Sequence, residues 1–427
     1  MFTFALVPLS IPLTEISPGL DFNLALPTEP ILIGILLIFV FKQLRDRNID
    51  IRIIKHPITY AIYFYLIWLL ITSITSTMPL VSVKYFFSKL WFIVPFFFLM
   101  IVLFRKKKNI YTSFWLYIIP FIGVIIYTFI NHAPFFFSQK AANFVMTPFF
   151  NDHTSYGAIL AMYVPILVGI IADKSFTFRL RIISFLIFIV FTVAILFSYT
   201  RAAWISLIGA LGVWIVLKLR IRLRYIFFVA ATAGTLFLAY QSKIMIALEG
   251  NSQDSSTNLK EHVQSISNVA TDASNLERIN RWNCAFRMFK EKPVFGWGPG
   301  TYQFNYAPFQ FSYEKTIIST NAGDMGNAHS EYFGPLSESG IFGMLSMVII
   351  VIMVYYIGIK NYYSLKDKKL KTLTLSVICA LTTYFVHGLL NNFLDTDKAS
   401  APFWSFIAIL VAIDLYHNNT QNTQLLD

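Results

Sequence analysis

IISFLIFIVFTVAILFSYTRAAWISLIGALGVWIVL, residues 182–217, decides the fold. It holds two apolar runs, 182–199 and 202–217, separated only by the turn that carries Arg201. Each is close to the length that crosses a bilayer core as a helix. Helices apolar on every side have no polar face to show to water, so this pair belongs in lipid or deep inside other helices.

The rest of the chain repeats the pattern. Of its 427 residues 56% are hydrophobic, 17% aromatic and only 13% charged, against about 25% charged in soluble domains. Mean hydropathy is +0.61. A soluble single domain is excluded, and the expected fold is an all-α polytopic membrane protein. Apolar runs at 1–14, 29–41, 57–77, 82–104, 110–130 and 153–172 precede the pair. Runs at 225–243, 333–357, 372–391 and 400–416 follow it, for about 12 transmembrane helices. The opening Met1 to Leu13 lacks a basic stretch and a small-residue cleavage site, so it reads as a retained segment.

The charge pattern sets the topology. With the amino terminus inside, 21 of the 34 Lys and Arg residues fall in the short inner connections, among them Arg52, Arg105 to Lys108 and Lys366 to Lys371. That positive-inside bias puts both termini in the cytoplasm. It also accounts for the net charge of +12 without nucleic acid. Cys284 and Cys379 lie in unlike settings and suggest neither a disulfide framework nor a metal site.

One outer connection stands apart. Residues 1–243 carry spans one to nine and 333–427 carry spans ten to twelve with a cytoplasmic tail. Between them 244–332 is long enough to fold as a subdomain. Its first part, Gly250 to Asn275, is rich in Ser, Asn, Asp and Gln. A helix is predicted next, started by a Ser274/Glu277 capping box and presenting Ile279, Trp282, Phe286 and Phe289 as an apolar stripe. Lys292-Pro293 stops it, and Gly296-Trp297-Gly298-Pro299-Gly300 leads into aromatic residues between Tyr302 and Tyr313. Those rings suit either stacking on sugar faces or resting in the membrane interface.

Three outer elements carry candidate chemistry. Arg201, in Ser198-Tyr199-Thr200-Arg201-Ala202-Ala203-Trp204, is pinned at the lip of the bundle, where a guanidinium can fork onto phosphate oxygens or meet lipid headgroups. Arg278 and Arg281 lie one turn apart beside Trp282, so both can face one ligand. Asn327-Ala328-His329-Ser330-Glu331-Tyr332 stands where the chain re-enters the membrane. His329 can take a proton near neutral pH, Tyr332 shares its side of the entering helix, and Glu338 lies about two turns deeper. His153 and His387, the latter near Asn391, Asn392 and Asp395, are alternative bases. No HExxH, CxxC or P-loop occurs, and Asp395-Thr396-Asp397 is the lone DxD spacing, so neither a metal nor another cofactor is expected.

In this order, Ser-x-Thr-Arg-x-x-Trp at 198–204, Arg278-x-x-x-Trp282, Pro293-x-x-Gly296-x-Gly298-x-Gly300, His329-Ser330-x-Tyr332 and Glu338-x-Gly340, the motifs resemble the O-antigen ligase and polymerase superfamily. The likeness covers roughly 150–415, with the earlier chain similar only in hydropathy. It implies a metal-independent inverting glycosyltransferase of the bacterial inner membrane, with a periplasmic loop subdomain between spans nine and ten. Its donor would be an undecaprenyl-diphosphate-linked glycan and its acceptor lipid A-core, or a second lipid-linked glycan in a polymerase. By that resemblance Arg201 and Arg278 match the arginines that hold the diphosphate, and His329 the histidine that activates the acceptor. Arg281 joins them on helical spacing alone. A flippase for lipid-linked sugars is the rival class. It predicts polar groups at mid-membrane depth and a half-to-half repeat, neither of which stands out.

Overall fold

A computed structural model describes residues 1–17, 24–46, 50–222, 273–315, 319 and 326–418. Among them nine helices are long and apolar enough to cross a membrane. They are Pro57–Ile74, Pro79–Leu103, Lys107–Phe135, His153–Ala172, Phe178–Phe197, Arg201–Lys218, Phe333–Ser364, Lys368–Leu390 and Asp397–His417. The all-α polytopic architecture is therefore found. The strands among the described residues are Ile11–Pro12 and Ala25–Leu26, one antiparallel pair. The expected span at 225–243 and the Ser/Asn-rich stretch up to residue 272 lie outside the described residues.

Two expected spans differ. Residues 1–14 are not one helix but a short one, Phe2–Leu6, then a 3-10 turn, Val7–Leu9, and the strand Ile11–Pro12. Pro8 and Pro12 lack the N–H groups that a continuing helix needs. Five helical residues rise only about 7.5 Å. The run at 29–41 does lie in a helix, Thr28–Asp46, but Glu29, Lys42, Arg45 and Asp46 charge its two ends.

Hydrogen bonds sort the ends of the bundle. Asp50 binds Arg52 and Arg105 at 3.0 and 2.9 Å, and Asp414 meets Lys360 and His56 at 3.1 and 3.3 Å. The residues of several basic connections thus converge on one end. At the other end Thr28 donates to Asp397, while Lys398 donates to Ser10 Oγ at 2.6 Å. These contacts fasten the amino-terminal segment to the last span.

Lys368–Leu390 and Asp397–His417 form the centre, with 83% of the residues buried in an 18-residue apolar stretch of each, whereas Phe178–Phe197 lies at the rim, where that share is 22%. Lipid supplies no hydrophobic drive between helices, so close packing has to hold them. Small residues permit it: a Cβ on Gly169 would fall 2.0 Å from Ser376 Oγ on the central helix.

The Phe333–Ser364 helix breaks at Gly340, where φ is +68°. The break leaves carbonyls that the Gly-punctuated turn fills. Trp297 N–H donates to Ser337 O at 3.1 Å and Gly298 N–H to Glu338 O at 2.7 Å. In return Ile341 N–H donates to Pro293 O at 2.9 Å. A Cβ on Gly340 would sit 2.0 Å from Val294 O, so glycine is required there for space as well as for φ.

Candidate functional site

The Arg201 turn is built by its neighbours. Tyr199 adopts a left-handed φ of +51° and reverses the chain, and its hydroxyl donates to Phe137 O at 2.9 Å. Thr200 Oγ1 donates to His153 O at 2.7 Å. Arg201 then opens the Arg201–Lys218 helix beside the start of His153–Ala172, which Asp152 caps through Ser155 N–H at 2.7 Å. Arg201, Asp152 and His153 accordingly share one lip of the bundle.

The predicted loop helix is present as Ala273–Glu291, and ends just before Lys292-Pro293. Its buried face is rotated from the expected stripe. Glu277, Arg281, Cys284, Ala285 and Met288 are buried, while Phe286 is exposed. Of the expected capping pair, the Ser274 side chain lies outside the described residues and Glu277 is buried. Its carboxylate accepts from Arg281 Nε at 2.7 Å and from Ser319. Arg281 also stacks 4.2 Å over the ring of Tyr306, so two partners compensate a guanidinium that sequence rules assign to the surface. Trp282 and Phe286 clasp Phe333, at 5.2 and 5.1 Å between ring centroids, and dock the helix on the re-entering span.

His329 lies in the connection between these parts. Its φ is +47°, sparsely populated for a residue with a side chain, and its N–H donates to Asn327 Oδ1 at 2.9 Å. Burial first, then the positive charges of Arg278 and Arg281, hold its imidazole down at about 4; Asp152 and Glu277 pull the other way. That electrostatic neighbourhood joins three elements distant in sequence. Through Asp152 it reaches the lip that carries Arg201. The imidazole is neutral at physiological pH and able to accept a proton.

Tyr332 is oriented toward the central helix: its hydroxyl donates to Phe385 O at 3.2 Å. Glu338 Oε1 accepts Tyr302 N–H at 2.9 Å, at the start of the helix Tyr302–Asn305, and so positions the aromatic stretch. Tyr302 and Tyr306 stack at 5.4 Å inside the loop subdomain. His387 is 1% exposed and shut into the bundle, which removes it as a base facing a ligand.

Sequence reasoning passed over Glu331. It is buried, accepts Tyr384 Oη–H at 2.6 Å and takes the N–H groups of Phe393 and Leu394 at 2.8 and 2.9 Å. Burial pushes its carboxyl above the ordinary range, with Lys89 acting against that. Lys89 in turn donates to Asp395 at 2.6 Å and Leu394 O at 2.9 Å. This network clamps the segment next to His329 onto the last outer turn. A carboxylate two residues after a histidine and a lysine inside a span were its only sequence signals.

The fold and this arrangement define a multi-pass membrane protein with arginines and an imidazole gathered at one mouth of its bundle. Residues 184–348 match the family model described as O-Antigen ligase, a segment that contains Arg201, Arg278, Arg281, Trp282, His329, Tyr332 and Glu338. The match supports the resemblance to the O-antigen ligase superfamily and points to a membrane enzyme of glycosyltransferase type. No curated protein matches the chain.

Proposed function

We propose that the protein moves a glycan from undecaprenyl diphosphate to an acceptor hydroxyl at the periplasmic face of the bacterial inner membrane, with inversion and without a metal. The carboxyl terminus would be cytoplasmic, whereas the amino-terminal segment, which does not cross and is held at Asp397 and Lys398, would stay at the periplasmic end, and 244–332 would form the periplasmic loop subdomain. His329 takes the proton of the acceptor hydroxyl as its oxygen bonds to the anomeric carbon. The bond from that carbon to the diphosphate oxygen breaks, and the electron pair leaves with undecaprenyl diphosphate. Arg201 and Arg278 balance the charge that builds on the departing group. Arg281, paired with Glu277, contributes its field from behind. Tyr332, Trp282 and Glu338 hold the surrounding elements.

The observation that carries this reading is the electrostatic convergence of Arg278, Arg281 and Asp152 on His329. The donor is already activated, so no nucleotide is needed. Lipid A-core is the acceptor of a ligase and a second lipid-linked glycan that of a polymerase. Transfer by the purified protein tests the proposal: His329→Ala and Arg201→Ala should each lose activity by about 10²-fold or more while remaining folded. Full activity in either variant removes that residue from the mechanism. Offering lipid A-core and a second donor side by side separates ligase from polymerase, and an absence of transfer with both favours a flippase.

A further inference from the structure

Asp152 precedes the segment that matches the family model and stands in the turn that opens the His153–Ala172 helix. One of its carboxylate oxygens, Oδ1, is committed to that turn, where it accepts Ser155 N–H at 2.7 Å and the Thr154 hydroxyl. The cap fixes the place of the carboxylate. Its other oxygen, Oδ2, has no hydrogen-bond partner among the described residues. A cavity of about 290 Å³ lies between Asp152 and the loop that presents His329. Asp152 and Ser155 line it from the bundle, and Asn327, whose Oδ1 takes the His329 N–H at 2.9 Å, lines it from the loop.

The charges that act on His329 come from two sides. The loop helix supplies Arg278, Arg281 and Glu277, and the bundle supplies Asp152. Glu277 is already paired with Arg281 at 2.7 Å, and Asp152 is in no ion pair among the described residues. The remaining charged groups on the cavity engage one another. Asp395 binds Lys89 at 2.6 Å, Asp397 accepts from Ser10 at 2.6 Å and lies 3.7 Å from Lys398, and Glu29 stands beside Asp397. His153 begins the same helix as Asp152, with its carbonyl held by Thr200 next to Arg201, and His387 is closed into the bundle.

When His329 deprotonates the acceptor, the O–H electron pair goes to the new bond with the anomeric carbon and the imidazole becomes a cation. Beside two guanidinium groups, and buried, that cation is costly. A carboxylate fixed in place offsets the cost without taking the proton itself. We propose that Asp152 serves transfer as a positioning residue acting through His329: its carboxylate, held by the helix cap, stabilises the imidazolium formed as the acceptor loses its proton. The inference rests on the glycosyl-transfer reading and adds to it a group from outside the matched segment.

Two variants separate charge from cap. Asp152→Asn removes the charge and keeps the cap, since asparagine caps a helix about as well as aspartate. Asp152→Glu keeps the charge and gives up the short cap. The purified full-length protein in nanodiscs is followed by transfer kinetics against pH and by NMR of isotope-labelled histidine, with His329→Ala assigning the His329 signal. In Asp152→Asn the thermal midpoint and the donor KM should hold while kcat falls about tenfold. The acid limb of kcat and the His329 titration should both move to lower pH, because a charge that favoured the cation is gone. In Asp152→Glu the midpoint should fall while limb and titration stay in place. An unchanged kcat in Asp152→Asn would overturn the role. Equal losses of kcat in both variants with an unmoved limb would also overturn it, by assigning the effect to the cap. A titration that stays put in Asp152→Asn while transfer still needs His329 refutes the role of Asp152 alone. A titration that moves while transfer is indifferent to His329 and Arg201 refutes the mechanism, and with it any role of Asp152 in transfer, while the coupling of the two groups stands.

Discussion

Thr200 and His153 are 47 residues apart, yet the threonine hydroxyl donates to the histidine carbonyl at 2.7 Å and sets where Arg201 begins its helix. The site depends on such long-range ties more than on any local motif.

Gly157 tests that tie. A Cβ there would lie 2.7 Å from Thr200 Oγ1, so Gly157→Ala should push the turn and Arg201 with it. The expected outcome is a donor KM raised several-fold with the thermal midpoint changed by only a few degrees. Titrating the donor in a transfer assay checks it, and an unchanged KM would show that the turn tolerates the shift.

The depressed histidine gives a pH signature. His329 ordinarily titrates at 6.5 and in the folded protein at about 4. Between those values the unfolded chain binds a proton that the folded one does not, so this contribution to stability is complete above 6.5 and is lost as pH falls toward 4. The acid limb of kcat/KM, which reports the free enzyme, should fall near 4. Bound diphosphate would offset Arg278 and Arg281 and raise the histidine, so the limb of kcat should lie at higher pH. Coincident limbs near 6.5 would contradict the electrostatic account.

Glu331→Ala should cost about 3 kcal/mol, because it removes one partner from a buried charged network. Tyr384, Phe393 and Leu394 would lose their shared acceptor. Thermal unfolding in detergent reads the loss, and an unchanged midpoint would show that the clamp contributes nothing.

If guanidinium groups balance the leaving diphosphate, chelation should not matter. Transfer is expected to proceed at the same rate in excess EDTA. A loss restored by added Mg²⁺ would assign that charge to a cation instead.

The spans were legible because a run of 18 or so apolar residues has few alternatives, and the Arg201 turn because a cation between two such runs is conspicuous. Residues 1–14 misled because their hydropathy is right while Pro8 and Pro12 break the helix. The loop helix was placed correctly by Lys292-Pro293 and its apolar spacing, but its rotation was not. Glu277 and Arg281 turn inward because each satisfies the other, an outcome that periodicity cannot express. Glu331 and Lys89 stayed hidden for a related reason: their partners lie between 53 and 306 positions away, outside any local window.

The central claim is that a lipid diphosphate docks where Arg201 and Arg278 meet the His329 segment. A structure of the protein in a nanodisc with undecaprenyl diphosphate bound tests this most directly. The account predicts phosphate oxygens within hydrogen-bond distance of both guanidinium groups, with the His329 imidazole beside the terminal phosphate. A headgroup seated elsewhere, with Arg201 and Arg278 turned to bulk lipid, would contradict it.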